Sequence, residues 1–366
     1  MFKHNKKEVH QRNNVARWAI ILSIITFVIL LLLILSLDLS YLKDFIVFKE
    51  ALFRTSLVIL AALVCILLIR AFVIWMSRSL NQSYLARFTD IPEFAVFEET
   101  IWRKYFPPRK TIKYKHAVLL LHGFAASVQE FEYLLPILKE KNIPYFAPYI
   151  PGFGRNRAQT LAHVSYNDWL RSAIFDFDML SEIAEEITII GHSMGSMLAT
   201  YLAQKRTVKN LILSGPAMYV DKTNEKFKGF LKTKYISDIY FWLFPYFPKP
   251  IRKDRKSCAD MMDESHLGRI FQYLSCPTHS LQQLAFLQDH INILEAKAGK
   301  LHLIYGKYET TINITRLLNL LDDNKVTYTF KSYPNSAHSV YEDLDHEEAI
   351  KDTLSILLQD NQELQN

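Results

Sequence analysis

Gly191-His192-Ser193-Met194-Gly195 sets a serine between two glycines in the spacing G-x-S-x-G, after the apolar run ITII (187–190) and before SMLATYLAQKR (196–206). The chain has only 10 glycines in 366 residues, so a pair around one serine singles out this position. A tight strand-to-helix turn forces unusual backbone angles on its central residue and crowds the positions two before and two after it. Glycines there relieve the crowding, and the turn lifts the serine hydroxyl above the sheet at the positive end of a helix. A serine hydroxyl is a poor nucleophile at neutral pH and needs a base, which an acid must in turn orient. Of the 12 histidines, His338 follows the last expected strand directly and precedes the last expected helix, which puts it at the same sheet edge as Ser193.

These residues need a frame. The short apolar runs AVLLLHG (117–123), IPYFAPYIPG (143–152), EITIIGHS (186–193), NLILSGP (210–216), KLHLIYG (300–306) and VTYTFKSYP (326–334) read as strands. Helical patterns alternate with them: VQEFEYLLPILKEKN, YNDWLRSAIFDFDMLSEIAEE, SMLATYLAQKR, NITRLLNLLDDN and a closing EEAIKDTLSILLQ. Near-continuous apolar strands alternating with helices predict an α/β fold, a mostly parallel sheet covered on both faces. Gly123, Gly152, Gly154, Gly191, Gly195, Gly215 and Gly306 all fall at or just past the C-terminal ends of these strands. Ligands of open α/β sheets bind along that edge.

The motifs, in this chain order, resemble the α/β-hydrolases, and within them the small carboxylesterases and monoacylglycerol lipases, over about residues 117–358. The resemblance implies that Leu121-His122-Gly123-Phe124 helps form an oxyanion hole, with the backbone N–H groups of Phe124 and Met194 as donors and His122 shaping the loop. Two preorganised donors would stabilise charge that develops only in the tetrahedral transition state. Pro151-Gly152-Phe153-Gly154 resembles the family's loop after the next strand, with a shaping role. Family members usually carry Asp three residues after the glycine that ends the penultimate strand. Here Gly306-Lys307-Tyr308-Glu309 carries Glu, so the expected catalytic set is Ser193, His338 and Glu309. Asp221, six residues past Gly215, is the alternative acid.

Between Gly215 and Lys300 the chain is far longer than one crossover helix needs, and the resemblance implies a cap over the site at about 217–298. Residues 221–256 hold ten Lys/Arg against four Asp/Glu, an excess equal to the formal charge of +6 of the whole chain, so the basic excess is local. Tyr240-Phe-Trp-Leu-Phe-Pro-Tyr-Phe-Pro248 adds six aromatics in nine residues. Rings beside lysines suit a lipid headgroup interface, or a cap whose aromatics line an acyl pocket inside a basic rim. Both favour an apolar, lipid-like ester such as an acylglycerol or lysophospholipid. No nucleic-acid motif accompanies the charge. No His/Cys/Asp cluster has metal-ligand spacing, so neither metal nor other cofactor is expected, and Cys65, Cys258 and Cys276 show no redox or ligand spacing. The oligomeric state is not legible.

Residues 1–76 form an expected membrane anchor. WAIILSIITFVILLLLILSL (18–37) has no charge and is long enough to span roughly 30 Å of hydrocarbon. SLVILAALVCILLIRAFVIW (56–75) is interrupted only by Arg70. Lys3, Lys6, Lys7, Arg12 and Arg17 precede the first segment, and Arg78, Arg87, Arg103 and Lys104 follow the second, whereas the loop 38–54 balances three basic with three acidic residues. Lys/Arg asymmetry of this kind places both termini and the catalytic domain in the cytosol, in the inner membrane if the source is bacterial. Residues 77–116 read as a juxtamembrane linker. The same residues would serve an acyltransferase or thioesterase, and a non-catalytic membrane scaffold of this fold is the contrasting alternative.

Overall fold

In the computed structural model the described residues are 43–85, 114–153, 158–220, 222–233, 235–249, 260–266 and 270–362. The chain divides into two compact units, residues 1–72 and 73–366. In the first, the only described element is the greater part of helix α1, Lys43–Leu85. Its apolar stretch is not buried: Val58, Leu68 and Phe72 are each more than half exposed. Among the described residues α1 is the one helix long and apolar enough to cross a membrane. The expected second span, 56–75, lies within it. The expected first span, 18–37, lies outside the described residues.

The second unit takes the end of α1 and everything after it. Its elements in chain order are β1 (Tyr114–Leu121), α2 (Leu134–Glu140), β2 (Tyr145–Phe146), α3 (Tyr166–Ser181), β3 (Ala184–His192), α4 (Met194–Lys205) and β4 (Val208–Ser214). There follow α5 (Lys222–Leu231), α6 (Ile236–Leu243), β5 (Tyr246–Pro248), β6 (Ser275–Pro277), α7 (Thr278–His290), β7 (Ala298–Gly306), α8 (Ile314–Asp323), β8 (Thr329–Tyr333) and α9 (His346–Gln362). Six strands form one parallel sheet in the order β2-β1-β3-β4-β7-β8. The central strands carry the apolar runs read from the sequence. Ala117–Leu121, Ile189, Ile190 and Leu211–Leu213 are all buried, as strands covered on both faces must be.

Two elements are shorter than the apolar pattern suggests. In 143–152 only Tyr145 and Phe146 join the sheet. Pro144, Pro148 and Pro151 cannot donate to a ladder, so the segment contributes a stub at the sheet edge. The pattern from Val128 to Asn142 is split into a 3-10 turn, Val128–Phe131, and the short helix α2. Ser127 caps that turn by accepting from the Gln129 N–H at 3.2 Å.

Between β4 and β7 stand α5, α6, the antiparallel pair β5–β6 and α7, in the stretch where a cap is expected. Its aromatics pack on one another: Phe230 lies edge-on to Tyr240 at 5.2 Å, Tyr240 meets Phe244 at 5.2 Å, and Phe227 meets Phe247 at 5.6 Å. Within the second unit, Asn81 near the end of α1 fastens this substructure. Its side-chain oxygen accepts from the Leu274 N–H at 2.9 Å, and its amide donates to the Ser275 carbonyl at 2.7 Å.

Candidate active site

Ser193 stands between β3 and α4 with φ 52° and ψ −114°, left-handed backbone that a non-glycine residue adopts only under constraint. The constraint is packing. A Cβ on Gly195 would lie 1.9 Å from the Leu121 carbonyl oxygen, so the first turn of α4 presses directly on the end of β1. The Ser193 N–H donates to the Ser214 carbonyl at 2.9 Å, which ties the turn to the end of β4. The Ser196 hydroxyl donates to the Gly191 carbonyl at 2.7 Å and closes the turn from within.

His338 lies on the loop after β8, and its backbone N–H donates to the Asp260 carbonyl at 3.0 Å. Gly215, with φ 51°, passes so close that a Cβ there would sit 2.9 Å from the His338 Nδ1. The end of β4 therefore packs at once on the serine turn and on this imidazole. Glu309, on the loop after β7, bonds its carboxylate to the His338 Nδ1 in a short contact with a side chain fully shielded from solvent. The other Glu309 oxygen accepts from the backbone N–H groups of Thr311 and Ile312. Burial pushes the Glu309 carboxyl up, but the charge of His338 and these hydrogen bonds outweigh it and hold the acid below its ordinary value. For His338 burial pulls down, while Glu309, Asp260 and Glu130 pull up, and the imidazole ends above its ordinary value. Asp221 lies outside the described residues.

The loop after β1 carries Phe124. His122 is fully buried, its Nδ1–H donates to the Gly123 carbonyl at 2.9 Å, and its Nε2 accepts from the Ile150 N–H at 3.2 Å. Burial lowers it to about 4, so it stays neutral, with both nitrogens committed to the loop. The Phe124 ring packs edge-on to Phe153 at 5.5 Å and to Trp169 at 6.3 Å. Trp169 donates its indole N–H to the Pro151 carbonyl at 3.0 Å, so the 151–153 loop and the Phe124 loop share one aromatic support. Met194 is the first residue of α4, and its N–H has no acceptor within the helix.

Three carboxylates absent from the sequence expectations shape these loops. Asp343 accepts from the backbone N–H groups of Ala337, Met262 and Asp263 at 2.7–2.9 Å, and so braces the loop beside His338. Asp345 accepts from the Asn335 N–H at 2.7 Å and the Ser336 hydroxyl at 2.9 Å. Glu130 accepts from the Gly123 N–H at 2.6 Å. No signal of spacing marks them in the sequence. Among the described residues no group of His, Cys, Asp and Glu is arranged to hold a metal ion.

A strained serine at the head of a helix, a buried histidine–carboxylate pair and a braced amide loop meet along one sheet edge. The family model for serine aminopeptidase, S33 (Hydrolase_4), matches residues 112–345. The chain belongs to this family of α/β-hydrolases. It is 28% identical to a carboxylesterase of Bacillus subtilis over 116 residues, which is 31% of this chain and 47% of that protein. The chain spans about half the length of the curated relatives it matches. Among solved structures, a chain described under LipS and LipT, two metagenome-derived lipolytic enzymes, gives a TM-score of 0.56 at 17% identity, over 68% of this chain and 96% of that one. The monoacylglycerol lipase of Paleococcus ferrophilus gives 0.54 at 15% identity, with the same coverage. At such identities the likeness speaks for the fold alone.

Proposed function

We propose that this α/β-hydrolase is a membrane-anchored esterase that cleaves lipid-like carboxylic esters, acylglycerols or lysophospholipids, through an acyl-enzyme on Ser193. The observation that carries the reading is the shielded Glu309–His338 pair, set against the same strand end that holds the strained Ser193. In this mechanism His338 takes the Ser193 proton as the hydroxyl attacks the ester carbonyl, and Glu309 holds the imidazole in the tautomer that can accept it. The oxyanion rests on the N–H groups of Phe124 and Met194. His338 then returns the proton to the leaving alcohol. In the second half-reaction it activates water, which releases the acid and regenerates Ser193.

The lipid-like substrate is supported by surroundings. A monoacylglycerol lipase and lipolytic enzymes stand among the structural neighbours. The apolar helix α1 would hold the enzyme at a bilayer. Basic flanks on both sides of the anchor segment support a cytosolic catalytic domain.

The test is fluorophosphonate labelling of membranes holding the full chain. Labelling of the wild type and its loss in Ser193→Ala is the expected result, and an unlabelled wild type overturns the hydrolase reading. Monoacylglycerols and lysophospholipids assay the substrate class, and an aminoacyl p-nitroanilide serves as the amide control. Product analysis with and without added alcohol separates hydrolysis from acyl transfer. Digestion of the 117–358 domain by protease added to intact cells would overturn the topology.

A further inference from the structure

Glu130 sits behind the nucleophile with its side chain only 10% exposed. The 3-10 turn at 128–131, unlike a continuous helix, aims its carboxylate at the loop after β1. One oxygen takes the Gly123 N–H, the amide next to that of Phe124, the proposed oxyanion donor. The other oxygen lies 3.7 Å from the His192 Nε2, and the His192 ring packs against the His338 ring at a centroid distance of 4.8 Å. A Cβ on Gly123 would be 3.0 Å from this carboxylate and 3.2 Å from the Ser193 Cβ, so acid and nucleophile flank one point of backbone.

We infer that Glu130 is a second positioning carboxylate of the site, fixing the oxyanion loop through Gly123 and lending its charge to the His338 imidazolium that forms as Ser193 attacks. This rests on the Ser193–His338 reading above. The groups that face Glu130 come from several elements: His192 from β3, His338 and Glu342 from the segment after β8, and Lys249 from the cap. Burial pushes the Glu130 carboxyl up to about 7, against the pull of the Gly123 N–H, His338 and Lys249. Glu342 is likewise pushed well above its ordinary value by burial and by Glu130, Glu132 and Asp343, and one of its oxygens has no partner among the described residues. Of the two acids, Glu130 has the Gly123 N–H donor, which favours its charged form. His192, pushed well below its ordinary value by burial and by His338, remains a neutral spacer.

The sign of the effect separates this role from mere loop shaping. Glu130→Gln keeps the acceptor for Gly123 and removes the charge, so His338 should shed its proton more readily. The rate of fluorophosphonate labelling, measured against pH on the full chain in detergent micelles, should have its acidic limb moved to lower pH by about half a unit or more. Its plateau should fall about 5- to 10-fold, because the imidazolium is less well supported in the transition state. Glu130→Asp keeps the charge and should restore the limb. A Glu130→Gln protein with the wild-type limb and plateau overturns the inference.

Should Glu130→Gln fail to fold, Glu130→Asp decides: it keeps the charge but its shorter side chain draws back from the Gly123 N–H, so the labelling plateau should fall while the acidic limb stays. A Glu130→Asp protein with the wild-type plateau overturns the inference while leaving the hydrolase standing. A wild type unlabelled at every pH overturns both.

Discussion

The sheet edge and the cap ask opposite things of the same residue. At the edge, a Cβ on Gly195 would lie 1.9 Å from the Leu121 carbonyl oxygen, and one on Gly306 1.8 Å from that of Ala337. In the cap, a Cβ on Gly229 would meet nothing within 4 Å. The edge holds Ser193, His338 and Glu309 by backbone contact and multiple hydrogen bonds. The cap keeps part of its apolar surface outward, with Tyr235, Ile236 and Ile239 each more than half exposed. Catalysis by preorganised donors tolerates little displacement, whereas entry of an apolar substrate needs a cover that can yield. The molecule is tightly packed at the sheet edge that carries Ser193, His338 and Glu309 and more open in the stretch between β4 and β7.

The sharpest way to break this contrast is Gly195→Ala. The obstacle is backbone, which cannot swing aside, so either α4 moves off β1 or the protein unfolds. The expected cost exceeds about 4 kcal/mol, or the serine turn opens and labelling is lost. A Gly195→Ala protein with wild-type melting and labelling would show that the edge is not the rigid region. Next in size is Glu309→Gln, which preserves volume but donates where the acid accepted. Turnover should fall by about 10³- to 10⁴-fold with the fold retained, as when a triad acid is lost elsewhere. A loss under about tenfold would move the orienting role to another acid, with Asp221 the first to test.

The pH dependence follows from the same pair. His338 is held above its ordinary 6.5, and catalysis needs it neutral, so activity should rise with pH through a value above 6.5. Stability runs the other way. A raised histidine contributes fully below its unfolded value and loses that contribution as pH rises through its folded value. Glu309, held below its ordinary 4.5, contributes above that value and loses its contribution as pH falls through the folded one. The pair should therefore stabilise most between about 4.5 and 6.5, on the acid side of the activity limb. Melting curves of wild type and Glu309→Gln across pH 4–9 read this directly: their difference should be largest in that window and shrink above it.

How much of this was legible in the sequence divides along the same line. Ser193 is announced by a local pattern whose cause is local, since a turn that tight needs its glycines. His338 comes from chain order, because it follows a strand and every strand of a parallel sheet ends at one edge. Glu309 comes instead from the family resemblance, which puts an acid three residues after the glycine that ends the penultimate strand. Glu130 was hidden because an acid in VQEFEYLL looks like the polar face of a helix until the 3-10 turn rotates it inward. The stub β2 is shorter than its apolar run because three prolines interrupt the ladder. The cap's fastening could not be read at all. Asn81 and Ser275 are 194 residues apart, and neither residue type nor spacing records such a partner.

Smallest in effect, yet most direct as a control, is Gly229→Ala. Gly229 lies inside α5 with no positive φ and open space around it, so its only consequence is the freedom it gives the unfolded chain. Alanine there should stabilise the cap by about 0.5–1 kcal/mol while leaving labelling within about twofold of wild type. The informative result is a divergence: greater resistance of the cap to limited proteolysis together with slower turnover of long-chain esters and unchanged labelling by the small fluorophosphonate. Such a split would mean that the mobility of α5 is used in admitting substrate, and the contrast between edge and cap would become kinetic as well as structural. Equal loss for large and small reagents would instead place α5 in the support of the catalytic edge, and the division between the two regions would fail.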